Sequence, residues 1–213
     1  MFCEINLRKI WRFIWNDDSL LSWLVNIVIA IILVKFVIYP VLGLLLGTGY
    51  PVVAVVSCSM EHGESNCWAD CYMKGASLNY CLNKEGTICG RKGEFWDACG
   101  SWYEDHEIDE GLFKGFQQSN GFNIGDIFVL RKAENIELGD VIIYNNKINN
   151  APIIHRVVKV EGDVFQTKGD HNKGMMEFEE KVEKEQIYGK VLFKIPYLGW
   201  VKIFFNMLTG RVF

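Results

Sequence analysis

The chain has 213 residues, 26 acidic against 22 basic side chains, and a hydrophobic share of 50%. That length suits one principal folded unit. With a net charge of −4 and no basic stripe, composition argues against nucleic acid as a partner.

The hydrophobic excess sits near the N-terminus. From residue 20 to 46 the only charge is Lys35. As a helix, residues 20–39 would rise roughly 30 Å, the thickness of a hydrocarbon core, and Pro40 is expected to end or kink it. The apolar run exceeds the roughly 7–15-residue core of a cleaved secretory signal, and no small-x-small site follows. It therefore reads as a retained anchor. Arg8, Lys9 and Arg12 precede it, whereas residues 47–73 hold no Lys or Arg. The positive-inside rule then places 1–19 in the cytoplasm and the bulk of the chain outside.

Residues 51–56, Pro-Val-Val-Ala-Val-Val, read as a short buried strand. Residues 63–121 differ in character, with Cys67, Cys71, Cys81, Cys89 and Cys99 and poor periodicity. Between Glu61 and Glu110 there are eleven acids against four bases. On the outer side of a membrane this reads as a loop-rich insertion stapled by disulfides. Five cysteines leave either one free thiol or Cys58 as the sixth partner, with the pairing open. A zinc site is the rival, but the paired C-x-x-C spacing of zinc ribbons is absent.

Beyond the insertion, Gly-Asp pairs at 125–126, 139–140, 162–163 and 169–170 punctuate the chain as turns. Residues 127–130, 141–144, 153–160, 164–167 and 188–195 are rich in β-branched and aromatic side chains and read as strands. The charged stretch 173–186 reads as a loop with a helical turn. The expected fold is mainly β, an antiparallel catalytic domain over 47–62 and 122–195, interrupted at 63–121 and preceded by a transmembrane anchor and connection at 20–46. The apolar tail 196–213 carries Lys202 and Arg211 and aromatics suited to headgroups. It reads as an interfacial segment against lipid, with a second spanning helix as the alternative.

Chemistry centres on Ser57-Cys58-Ser59-Met60, where a hydroxyl follows a short strand just after the membrane-length run. A serine needs a base to take its proton, and His155, flanked by strand formers, is the histidine best placed for that work. Taken singly, Ser59 reads as a turn serine, His155 as a half-buried strand residue and Asp170 as a turn former. Arg156 reads as a structural ion-pair partner for a nearby carboxylate.

Together these segments resemble type I signal peptidases of peptidase family S26. Residues 51–61, ending Ser-Cys-Ser-Met-Glu, are similar to the nucleophile box, and Gly139-Asp140-Val141 to the strand that follows it. Ile154-His155-Arg156-Val157-Val158 resembles the box supplying the base, and Gly169-Asp170-His171-Asn172 the acidic box. Residues 188–200 resemble the closing strand. A histidine at 155, where bacterial members carry lysine, matches the archaeal and endoplasmic-reticulum subtype.

The resemblance implies a membrane-anchored serine endopeptidase that removes signal peptides from secretory preproteins without metal or organic cofactor. It implies Ser59 as nucleophile, His155 as general base, and Ser57 beside the Ser59 N–H as the oxyanion hole. The family's second acidic position falls on Met176 here, so Asp170 is the expected acid, with Glu177 as the alternative. Cys58 stands for a glycine and His62 for a proline of the family pattern. The expected location is an archaeal cell membrane with the catalytic domain outside, or alternatively the endoplasmic reticulum membrane. Accessory subunits stay open. The rival function is a non-enzymatic anchored ectodomain that binds a partner through the acidic insertion.

Overall fold

The computed structural model describes residues 7–63, 67, 71, 75–83, 86–147, 152–201 and 203–204. Cys3 and the tail beyond 204 lie outside them. The chain divides into two compact units, Met1–Leu45 and Leu46–Phe213.

In the first unit, α1 (Leu7–Asn16) carries Arg8, Lys9 and Arg12 and reverses at Asp17-Asp18. Ser19 then caps α2 (Leu20–Leu33), its hydroxyl accepting from the Ser22 N–H at 3.2 Å. Ser22 and Asn26 of α2 donate back to the Phe13 and Ile14 carbonyls at 2.5 and 2.9 Å, tying the two helices together. Helix continues through a π-helical segment, Val34–Ile38, into α3 (Tyr39–Leu46). Pro40 neither ends the run nor breaks it. Its ring would crowd the carbonyl four residues back, and the wider π turn, in which the Tyr39 N–H bonds to the Val34 carbonyl, gives it room. The resulting Leu20–Leu46 helix is long and apolar enough to cross a membrane.

The second unit is built on a seven-stranded antiparallel sheet: β1 (Val52–Ala54), β2 (Ile127–Arg131), β3 (Val141–Asn145), β4 (Pro152–Glu161), β5 (Val164–Lys168), β6 (Val182–Glu183) and β7 (Ile187–Ile195), in the order β1-β2-β7-β3-β4-β5-β6. The expected strands form within a residue or two, except that 51–56 makes only a three-residue ladder. Its pairing continues past the strand, where the Val55 N–H reaches the Asp126 carbonyl at 2.8 Å. The expected loop at 173–186 holds two 3₁₀ turns, Glu177–Glu179 and Lys184–Gln186, around β6.

Both faces of β3 are covered. Val141 and Ile143 join Val55, Met60 and Phe128 in one core, while Ile142 and Tyr144 join Val157 and Phe165 in another. That double burial explains why β3 reads as a continuous apolar run rather than an alternating one.

The insertion is more helical than its sequence suggests. It contains α4 (Leu78–Asn83), α5 (Phe95–Glu104) and α6 (Glu110–Lys114). Cys58 pairs with Cys67, Cys71 with Cys81 and Cys89 with Cys99, so Cys58 is the sixth partner. The insertion has its own core of Ile88, Cys99, Tyr103, Ile108 and Phe113, into which Val158 of β4 projects. Val158 can do so because the β4–β5 register shifts between Val157 and Lys159, and such a bulge re-aims one side chain.

After β7 the chain folds back on the Gly125-Asp126 turn. Gly125 has φ +89°, and a Cβ there would sit 2.2 Å from the Trp200 indole, so only glycine fits. Ile203 is buried against Cys58 and Ile124, while Tyr197, Val201 and Phe204 stay exposed.

Candidate active site

A cavity of about 620 Å³ opens beside the nucleophile candidate. One wall is the segment 53–59, which runs from β1 through Ser57 and Ser59; the opposite wall is 152–155 of β4. Each wall keeps a free backbone edge among the described residues. β1 pairs only with β2, and β4 pairs with β5 only from Arg156 onward. Loop residues His171, Asn172 and Lys173, with Met176 and Phe178, line a further side.

The segment after β1 leaves the ladder as a tight turn, in which the Glu61 N–H bonds to the Cys58 carbonyl at 3.0 Å. Cys58 is buried and turned away from solvent against Ile124 and Ile203. Ser57 and Ser59, on either side of it, are half-buried on the cavity wall with their hydroxyls 3.2 Å apart.

His155 is 5% exposed and held opposite Ile142 in the β3–β4 register. Its Nδ1 lies 2.5 Å from Glu179 Oε1. The contact is close, although its angle falls outside that of a linear hydrogen bond. Its other nitrogen lies near the Ser59 backbone: a Cβ added at Gly169 would be 2.8 Å from His155 Nε2 and 2.9 Å from the Ser59 carbonyl oxygen. The Ser59 hydroxyl itself bonds to Ser57.

Glu179 is fully buried. Its Oε1 also accepts from the Gly169 N–H at 3.2 Å and its Oε2 from the Met176 N–H at 2.7 Å. These bonds fix the carboxyl group and give both of its buried oxygens donors.

The expected acid, Asp170, has other partners. Its carboxylate accepts from Arg156 Nε at 3.0 and 3.2 Å, Arg156 Nη2 at 2.7 Å, the Tyr103 hydroxyl at 2.9 Å and His62 Nε2 at 2.8 Å. Burial alone would raise its pKa, but the Arg156 charge and the bonds from His62 and Arg156 outweigh that and hold the carboxyl far below the usual range. Arg156 is thus the ion-pair partner of a buried carboxylate, as its sequence context suggests. Glu177, the alternative acid, is exposed at the start of its 3₁₀ turn.

The acid beside His155 is therefore a residue that sequence reasoning passed over. The family position falls on Met176, and the natural shift was to its neighbour. The 3₁₀ turn Glu177–Glu179, however, buries Glu179 and leaves Met176 and Glu177 exposed. The cue in the sequence was the charged run from Glu177 to Glu180 interrupted by Phe178, a partly buried side chain packed on the core of Ile142 and Tyr144.

Lys168 ends β5 fully buried, donating to the carbonyls of Gly169, Asp170 and Asn172 at 3.1, 3.3 and 2.8 Å. Burial lowers its pKa to about 8, against the opposing pull of Asp170 and Glu179. It shapes the loop that carries Asp170 and does not face the cavity wall. Cys58, Glu61 and Cys67 lie close enough together to ligate a cation, but the two sulfurs are bonded to each other and so are not available as thiolates.

Comparison with known proteins agrees with the motif resemblance. The signal peptidase complex catalytic subunit SEC11C of Homo sapiens and that of Mus musculus are each 33% identical to this chain over 97 residues, 40% of this chain and 50% of the relative. The catalytic subunit SEC11 of Fusarium vanettenii is 33% identical over 94 residues, 38% of this chain and 55% of the relative. The chain spans about half the length of the curated relatives it matches. No family model matches it.

Proposed function

We propose that this protein is a membrane-anchored signal peptidase, a serine endopeptidase that uses Ser59 as nucleophile, His155 as general base and Glu179 as the acid that holds the imidazole. The observation that carries the reading is the placement of His155, with a buried carboxylate at Nδ1 and the Ser59 segment on the Nε2 side.

Glu179 favours the tautomer with the proton on Nδ1, leaving Nε2 free to accept the Ser59 proton as Oγ attacks the scissile carbonyl. The imidazolium that forms is stabilised by the adjacent negative charge. The developing oxyanion is met by the Ser59 N–H and by the Ser57 hydroxyl once it turns from its partner. Each donor of this kind contributes roughly 10²–10³ in rate. The imidazolium then protonates the leaving amine, the C–N bond breaks, and a water activated by the same nitrogen hydrolyses the acyl-enzyme.

The free edges of β1 and of residues 152–155 suit an extended chain bound by backbone hydrogen bonds. The wall residues Ala54 and Val56 leave shallow space for small side chains before the cut, the composition expected of a secretory signal. Leu20–Leu46 would confine enzyme and precursor to one plane and raise their effective concentration. Exposed Tyr197, Val201 and Phe204 suit a headgroup boundary. Charge asymmetry around the anchor favours a catalytic unit outside the cytoplasm, at an archaeal-type cell membrane in the first reading and the endoplasmic reticulum in the second. The relatives are named as subunits of a complex, so accessory subunits are part of the proposal.

The test is cleavage of a model preprotein by the full-length chain in liposomes, compared with Ser59→Ala. Processing that stops in the variant supports the proposal. Equal processing by both overturns Ser59 as the nucleophile, and processing by neither leaves the anchored-ectodomain reading.

A further inference from the structure

The insertion makes two contacts that the catalytic reading does not use and braces a third from His62, and all three converge on the loop that touches the nucleophile. In that loop the His171 N–H donates to the Ser59 carbonyl at 2.8 Å, and the Asp170 N–H reaches Met60 Sδ at 3.2 Å. His171 Nδ1 bonds to the Glu61 carbonyl at 3.0 Å. Three consecutive residues of the nucleophile turn are therefore fixed by two residues of one loop.

The insertion holds this loop from behind. The Tyr103 hydroxyl donates to Asp170 Oδ1 at 2.9 Å, with the tyrosine fully buried. The Cys89 N–H donates to the His171 carbonyl at 3.0 Å, and Cys89 is joined to Cys99 on α5. Cys99 and Tyr103 are four apart on that helix and so share a face. The third contact is His62, which donates to Asp170 Oδ2 while its ring stacks on Phe95, the first residue of α5, at 3.7 Å and 7°. One helix thus grips the loop through a hydroxyl, a disulfide-tied backbone amide and a stacked imidazole. Asp170 accepts five hydrogen bonds in all and has none to spare for His155.

We infer that the cysteine-rich insertion is a clamp that sets the position of Ser59, with Tyr103 and His62 as positioning residues acting through Asp170. This rests on the proposed peptidase reading for its catalytic consequence, but the clamp itself is a mechanical claim about the loop. A insertion serving only to dock a partner would need none of these bonds. Arg156 alone would balance the Asp170 charge.

Tyr103→Phe in the full-length protein removes one hydroxyl and leaves Arg156 and His62 on Asp170. Two measurements decide the inference: kcat and KM on a model preprotein well below the melting temperature, and hydrogen–deuterium exchange over residues 57–62 and 168–173. The expected result is a kcat lowered about tenfold with KM changed by less than about twofold, below the roughly 10²-fold that an ångström of misplacement can cost. Exchange should be faster in both segments and unchanged in β3 and β7. Unchanged exchange at 57–62 overturns the clamp whatever kcat does, and faster exchange with wild-type kcat overturns the positioning role. If the wild-type chain shows no cleavage that Ser59→Ala abolishes, the peptidase reading falls, and exchange alone still decides whether the insertion holds the nucleophile turn.

Discussion

Replacing Glu179 with glutamine keeps the shape of the buried side chain and removes its charge. In the native arrangement Oε1 faces His155 Nδ1 at 2.5 Å and the Gly169 N–H at 3.2 Å, and Oε2 faces the Met176 N–H at 2.7 Å. Both oxygens therefore meet donors. A glutamine must turn its NH₂ toward one of them, and either choice sets donor against donor. Facing His155, it drives the proton to Nε2 and leaves the wrong tautomer for a base. Loss of the acid in a serine–histidine triad costs about 10⁴ in kcat by this route, or about 5.5 kcal/mol at 1.36 kcal/mol per decade. The Coulomb energy of an imidazolium and a carboxylate 2.5 Å apart is about 7 kcal/mol at an effective dielectric of about 20, large enough to supply that loss. The stability cost should be smaller, about 1–3 kcal/mol for one unsatisfied buried donor. The assay is single-turnover cleavage of a preprotein by liposome-bound enzyme, with thermal unfolding run alongside. A Glu179→Gln enzyme within about threefold of wild type, while Asp170→Asn or Glu177→Gln loses activity at a normal melting temperature, would refute the assignment.

Glu177→Gln, at an exposed position, should leave turnover and stability unchanged, and a large loss would restore it as the acid. Gly169→Ala should lower kcat by about 10² or more, because the new Cβ would sit 2.8 Å from His155 Nε2 and 2.9 Å from the Ser59 carbonyl oxygen and push one or both aside; full activity in the alanine enzyme would mean that neither position matters to the chemistry. Asp170 has a folded pKa far below its unfolded value near 3.9, so its contribution is present above about pH 4 and is lost as pH falls toward the folded value. Urea unfolding between about pH 2 and 5 should be steeper in pH for wild type than for Asp170→Asn, and parallel curves would contradict this. Among the described residues Lys173 is the one Lys, Arg, Asp or Glu side chain on the cavity wall, two residues from the His171 amide that holds Ser59. Peptides with an acid just after the cut should be preferred by up to about fivefold over those with a lysine, and Lys173→Glu should reverse the order; an unchanged preference would remove Lys173 from substrate recognition.

The local features of this protein were legible because they depend on near neighbours. The apolar run from residue 20 to 46, charged only at Lys35, the β-branched stretches between Gly-Asp pairs and the serine box each announce themselves in contiguous sequence. The boxes also pointed to Ser59 and His155, which the fold brings to the walls of one cavity. Three things were decided only in three dimensions. Pro40 passes through its helix because a π turn widens just before it, a backbone adjustment that composition does not encode. The partner of Cys58 depends on how the insertion folds back over the nucleophile turn. Which carboxylate faces His155 depends on a 3₁₀ turn that buries Glu179 and exposes Glu177, and on Arg156, Tyr103 and His62 having already claimed Asp170. A charge in a folded interior goes wherever enough donors meet it, and those around Asp170 come from three separate segments of the chain, at His62, Tyr103 and Arg156.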